Sequence, residues 1–127
     1  MGFTVHNLKD VKDAAPAFGL SPDLEARFAR EPLESKKVAV SYQRLQPNVR
    51  MPFGHKHAGQ EEIYVVLEGS ARAKVEDEIV ELHQWDALRV VPETMRGIEA
   101  GPDGVTVLAV GGPIGEKNDA EIVNDWW

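Results

Sequence analysis

The pattern of apolar and polar positions changes near residue 37. Beyond it, apolar residues recur at every second position, as in Val38, Val40 and Tyr42. Because successive side chains of a strand point to opposite faces, this period of two predicts strands with one buried face. Strands are predicted at 38–42, 63–67, 71–75, 79–82, 87–91, 95–100 and 105–110.

Turn residues separate the predicted strands at short intervals. Gly101-Pro102-Asp103-Gly104 combines two glycines, which tolerate positive φ, with a proline of fixed φ, and it predicts a turn between the last two strands. Asp77-Glu78 predicts a tight hairpin. Short strands and frequent turns are typical of an antiparallel sandwich or barrel, so we expect an all-β fold.

The segment before residue 37 predicts one short helix. Ser21 is suited to cap it, Pro22 to occupy its first position and Pro32 to end it. Leu24 and Phe28 are four residues apart and would share an apolar face. Another turn or two of helix is predicted over 10–15.

The length of the chain indicates one domain. A chain of 127 residues can bury a single core without disulfides. We divide it into an N-terminal segment, 1–36, whose helix packs on the barrel, the barrel itself, 37–110, and a C-terminal tail, 111–127. The tail ends in Trp126-Trp127, which we expect to cover an apolar patch or a dimer surface.

Composition and charge exclude several classes of function. The chain has no cysteine, so thiolate metal sites and cysteine nucleophiles are excluded and a reducing cytoplasm is expected. It carries 14 Lys and Arg against 21 Asp and Glu, and the formal charge of −7 opposes binding to nucleic acid or an anionic membrane. No apolar stretch approaches the roughly 20 residues of a membrane helix.

Residues suited to metal binding cluster between positions 54 and 69. His55 and His57 lie on the same face of a strand, so both imidazoles can point to one position. Glu61 and Glu62 point to opposite faces, so at most one of them can join the histidines. Two imidazoles and a carboxylate suit Fe(II), Mn, Ni or Zn. Alternatively, the histidine pair lies on an edge strand and binds no metal.

The spacing of these residues resembles the first motif of the cupin superfamily. His55-x-His57 is followed after four residues by Glu62 and after six more by Gly69. The second cupin motif, Gly-Asp, a short apolar strand, Pro and then His, resembles the segment from Trp85-Asp86 through Pro92 to Arg96, in which Trp85 replaces the glycine and Arg96 the histidine. The resemblance covers Val38 to Val110. It implies an antiparallel jelly-roll barrel, commonly a homodimer, with a pocket between two sheets.

By this resemblance His55, His57 and Glu62 match three metal ligands, and Arg96 stands where the fourth is usual. Arginine stays charged and cannot coordinate a cation. Arg96 either contacts a carboxylate or phosphate of a small ligand, or forms an ion pair at the barrel mouth with Glu61, Glu62 or Glu93. Tyr64, on the same strand face as Glu62, lines the pocket or packs as a core aromatic.

Two functions are compatible with these residues. In the first, a cupin binds a divalent metal through His55, His57 and Glu62 together with a small polar or anionic molecule, which Arg96, Glu61 or Tyr64 would contact. In the second, a metal-free and non-enzymatic cupin binds a small molecule, and Arg96 replaces the fourth ligand. The sequence does not select a reaction.

Overall fold

The computed structural model describes residues 2–115 and 117–127. In this part of the chain, eight antiparallel strands form one sheet that curls on itself, which confirms the predicted all-β barrel. The strands are β1 Leu24–Phe28, β2 Ala39–Leu45, β3 Phe53–His57, β4 Glu61–Val75, β5 Glu78–Leu82, β6 Ala87–Val90, β7 Arg96–Gly112 and β8 Ala120–Asn124. A helix, α1, spans Arg30–Leu33, and 3-10 turns lie at Leu8–Asp10 and Pro16–Phe18. No helix among the described residues is long and apolar enough to cross a membrane.

The two longest strands, β4 and β7, pair with each other from one end of the barrel to the other. The N-terminal half of β4 also pairs with β6 and its C-terminal half with β5, whereas β2 and β3 pair with opposite ends of β7. Inward-facing residues of both long strands are buried, among them Tyr64, Val66, Val107 and Ala109. The core therefore lies between the two halves of the curled sheet.

The pairing of β4 with β7 is interrupted near Gly69. Between Ala100 and Val105 of β7 lie four residues, whereas a single residue separates Gly69 from Ala71 on β4. The predicted turn at 101–104 is therefore wrong, because these residues form a bulge within one continuous strand. Gly69 has φ 79°, and a Cβ there would lie 2.0 Å from the carbonyl oxygen of Gly104. Only glycine fits this close approach.

The predicted helix near residues 22–31 is also wrong. Leu24–Phe28 is strand β1, which pairs with β2 from Leu24 opposite Leu45 to Phe28 opposite Ser41. Leu24 is buried in the core, and Asp13 accepts the backbone N–H of Ala26. Tertiary pairing thus outweighs the local capping signals, and the only α-helix among the described residues is the short α1.

The sheet also takes a strand from each flanking segment. β1 precedes the predicted barrel range of 37–110, and β8 follows it and pairs with β3 along Phe53–His57. The predicted helical turn over 10–15 is wrong in position, because the 3-10 turns lie at Leu8–Asp10 and Pro16–Phe18. The C-terminal segment thus reaches the strand that carries both candidate histidines.

Candidate metal centre

Three predicted site residues meet inside the barrel. β3 supplies His55 and His57 from one half of the curled sheet, and β4 supplies Glu62 from the other half. Oε1 of Glu62 lies 2.9 Å from Nε2 of His55 and 3.3 Å from Nε2 of His57. The side chains are 25%, 9% and 14% exposed for His55, His57 and Glu62, so the centre is open to solvent mainly beside His55.

Tyr64 extends this group along the same face of β4. Its hydroxyl donates a hydrogen bond of 2.6 Å to Oε1 of Glu62 and lies 3.4 Å from Nε2 of His55. Its ring is also part of the hydrophobic core. Tyr64 therefore combines both roles that the sequence left open, because it packs in the core and its hydroxyl reaches the centre.

The second ring nitrogen of His57, Nδ1, contacts a carboxylate. Nδ1 lies 2.8 Å from Oδ1 of Asp119. Since an ionised carboxylate only accepts hydrogen bonds, Nδ1 carries the hydrogen, and in the neutral ring Nε2 has a free lone pair. Nε2 is buried without a hydrogen-bond partner and faces the Glu62 oxygen. Two acceptors therefore face each other, an arrangement that a proton or a metal cation would stabilise.

The groups at the centre shift one another's pKa values. Burial alone would raise the pKa of Glu62, but the adjacent His55, His57 and Tyr64 outweigh burial and hold that pKa far below its ordinary value. The adjacent Glu62 carboxylate raises the pKa of His57 against the effect of burial, and Asp119 adds to the rise. Burial, followed by the charge of Glu62, raises the pKa of Tyr64 well above its ordinary value. Glu62 is therefore an anion and Tyr64 a neutral donor at physiological pH.

Arg96 lies beside the centre and is almost fully buried, with 1% of its side chain exposed. Its terminal nitrogens donate to the carbonyl oxygens of His55, Val91 and Pro92 at 3.2–3.4 Å. Its Nε lies 3.8 Å from Oε1 of Glu62 and has no hydrogen-bond partner. Arg96 thus ties β3 to the 91–96 turn while its charge lies against Glu62.

Glu61 lies outside this group. Its side chain is exposed and pairs with Arg89, with Oε2 2.7 Å from the guanidinium. This agrees with the alternation along β4, which points Glu61 and Glu62 to opposite faces. Glu62 is therefore the carboxylate that joins the histidines.

Asp119 is a site residue that the sequence did not predict. Asp119 lies 62 positions after His57, in the tail for which no strand was predicted. Burial alone would raise its pKa, but hydrogen bonds from the Gly59 backbone and from His57 outweigh burial and lower the pKa to about 2. No local motif links the two residues, because the pairing of β8 with β3 brings them together.

The group fits a metal ion by its donors and its spacing. Ligand atoms about 2.1 Å from a metal and at right angles to one another are about 3 Å apart, close to both distances from Glu62 to the histidines. All three ligand atoms lie within 4.8 Å of one another, and no other such group occurs among residues 2–115 and 117–127. Two imidazole nitrogens and one carboxylate oxygen suit divalent transition metals.

Comparison with known proteins identifies the fold through solved structures. No family model matches the chain, and no curated protein matches it in sequence. A cupin protein from Bacteroides fragilis superposes with a TM-score of 0.73 at 23% identity, covering 93% of this chain and 90% of its own. Oxalate decarboxylase from Bacillus subtilis gives 0.75 at 25% identity over 97% of this chain and 34% of its own. KdgF from Halomonas gives 0.66 at 18% identity over 91% and 96%.

Proposed function

This chain has the cupin fold, and from that premise we propose that it binds a divalent metal through His55, His57 and Glu62 and recognises a small polar or anionic molecule beside it. The observation that carries the proposal is that Nε2 of His57 is buried without a hydrogen-bond partner and lies 3.3 Å from Oε1 of the ionised Glu62. A metal ion would satisfy both acceptors and His55 together. Arg96 lies beside Glu62 but cannot coordinate a cation. Three protein ligands must therefore suffice, as they do in catalytic zinc sites.

The donor set suits Fe(II), Mn, Ni or Zn. The chain has no cysteine, so only nitrogen and oxygen ligands are available. A metal bound by these residues would supply Lewis acidity or activate oxygen. The residues around it set the charge of the site and its access to solvent.

The small molecule would reach the centre beside His55, the most exposed of the three ligands. There the Tyr64 hydroxyl supplies a polar contact 3.4 Å from the imidazole. The positive charge of Arg96 reduces the electrostatic repulsion that Glu62 would exert on a bound anion. Oxalate decarboxylase, a structural neighbour, acts by its name on a small dicarboxylate, which supports an anionic molecule here.

Elemental analysis tests the metal site. Protein purified without chelators and then incubated with each of the four metals is expected to retain about one ion per chain after desalting. His57→Ala and Glu62→Gln are expected to lose most of it, because each removes one of three ligands. His83→Ala is the matched control, since His83 is exposed and outside the group. Wild-type protein without metal, or variants that retain it, would contradict the proposal.

A metal-free function is the alternative, and the position of Arg96 favours it. The guanidinium already places a buried positive charge 3.8 Å from Glu62. In this alternative the centre binds a small anion without metal. Isothermal titration with oxalate as probe distinguishes the two. If binding persists unchanged after exhaustive chelation, the metal-free function is supported; if chelation abolishes binding, the metal-dependent one is.

A further inference from the structure

The carboxylate of Asp119 accepts four hydrogen bonds near the centre. One carboxylate oxygen accepts from Nδ1 of His57 at 2.8 Å and from Nε2 of Gln60 at 3.0 Å. The other accepts the backbone N–H groups of Gly59 and Gln60 at 2.8 and 3.2 Å. The same carboxylate therefore fixes both the His57 ring and the loop that links β3 to β4.

The backbone delivers Asp119 to this position. β8 pairs with every residue of β3, from Phe53 opposite Asn124 to His57 opposite Ala120. The Ala58 N–H also bonds to the Asp119 carbonyl at 3.2 Å. Farther along, the Trp126 ring packs so closely over Gly54 that a Cβ there would lie 2.5 Å from it. The C-terminal segment thus contacts β3, the strand that carries both histidines, at both of its ends.

We propose that Asp119 is a positioning residue for the metal centre: by accepting the Nδ1 hydrogen of His57, it fixes the ring so that the Nε2 lone pair points toward Glu62 and His55. The inference rests on the proposed metal-binding function. A hydrogen bond to the remote nitrogen of a metal-ligating histidine sets its tautomer and raises its basicity as a ligand.

Loss of the Asp119 carboxylate would favour the other tautomer of His57, which carries its hydrogen on Nε2. With the hydrogen on Nε2, His57 could donate to Glu62 across the present 3.3 Å, and its lone pair would point away from the centre. Both acceptors would then be satisfied without a metal. Asp119 therefore keeps the site ready to bind a cation.

Zinc titration against a chelating dye tests this inference. Asp119→Ala is expected to weaken zinc binding by about 10- to 100-fold, as changes to outer partners of ligating histidines do. Asp119→Asn is expected to lose less, because its amide oxygen can still accept the Nδ1 hydrogen. Glu121→Ala is the control, because it removes an equal charge two residues after Asp119, and Glu121 pairs with Lys56 instead of His57. Circular dichroism verifies that each variant is folded.

Nitrogen-15 NMR of the His57 ring gives a second readout that a purely structural role would not move. In metal-free wild-type protein, above the pKa of the ring, we expect the Nδ1–H tautomer, and in Asp119→Ala a shift toward Nε2–H. The inference is overturned if the wild type has the Nε2–H tautomer or if folded Asp119→Ala binds zinc as tightly as the wild type. If the wild type binds no metal, the proposed function fails, and the tautomer still decides the role of Asp119.

Discussion

At the scale of single residues, Glu62 determines what the centre can bind. Its Oε1 lies within 3.3 Å of both histidines and accepts the Tyr64 hydroxyl, while Arg96 lies 3.8 Å away. The carboxylate is therefore ionised and surrounded by groups that compensate its charge. A metal would compete with protonated His57 and with the Arg96 guanidinium for that negative charge.

Replacing Arg96 measures this competition. Arg96→His is expected to tighten zinc binding about tenfold or more, because it removes a positive charge about 4 Å from Glu62 and adds a nitrogen ligand. Dye competition measures the affinity. Arg89→His is the matched control, since it removes the same charge from an exposed pair with Glu61. An affinity unchanged in Arg96→His would exclude Arg96 from the neighbourhood of the metal.

At the scale of elements, alternation of apolar residues predicted most of the barrel. Val40 and Tyr42 correctly indicated strand β2, and the apolar run at 63–67 indicated the first half of β4. The predicted buried face of β2 was wrong, because Val38 precedes the strand and is 51% exposed, whereas Leu45 on the other face lies in the core. The predictions that failed depended on local signals. Ser21 and Pro22 are suited to begin a helix, but the segment after them pairs with β2, and such pairing is not encoded within a short window of sequence.

The centre itself was predictable only in part, for the same reason. His55, His57 and Glu62 lie within eight positions of one another, so alternation along two strands could relate them. Asp119 approaches only through the pairing of β8 with β3. The carbonyl contacts of Arg96 likewise depend on the path of the 91–96 turn, which residue spacing does not specify.

Asp13 attaches the edge strand β1 to the N-terminal segment and gives a pH-dependent prediction. Its Oδ1 accepts the N–H groups of Ala15 and Ala26, and these bonds lower its pKa although burial opposes them. Asp13→Ala is expected to reduce the free energy of unfolding by about 1–2 kcal/mol at pH 7, because it removes these partners.

The pH dependence follows from the sign of that shift. A carboxyl with a lowered folded-state pKa stabilises the fold above its unfolded pKa, near pH 4, and the contribution is lost as pH falls through the folded value. The difference between wild type and Asp13→Ala in urea denaturation should therefore shrink at the acid end. Asp23→Ala, an exposed carboxylate just before β1, is the control. A difference that persists undiminished at pH 2 would contradict this role.

At the scale of the whole molecule, the outer face of the sheet is apolar where β2, β7 and β4 lie side by side. Val40, Val110 and Ile63 form one row across the three strands, and Ile63 is 38% exposed. A solvent-exposed sheet face is usually polar, so this row suits contact with another apolar surface. We propose that the homodimer implied by the resemblance forms through this row.

Light scattering tests this prediction. Wild-type protein is expected to have twice the mass of one chain, and Ile63→Glu to shift toward one chain, because it places a charge in the apolar row. Ile79→Glu is the control, since Ile79 is similarly exposed, at 47%, but lies on β5. A monomeric wild type, or a dimer that Ile63→Glu leaves intact, would contradict the prediction.

His55, His57 and Glu62 are proposed to hold one metal ion together. Anomalous diffraction from crystals grown with zinc, recorded on both sides of its absorption edge, tests it most directly. We expect one peak about 2.0–2.2 Å from Nε2 of each histidine and from a Glu62 carboxylate oxygen. Crystals of folded protein with zinc present but without a peak at these three residues would show that they do not form a zinc site.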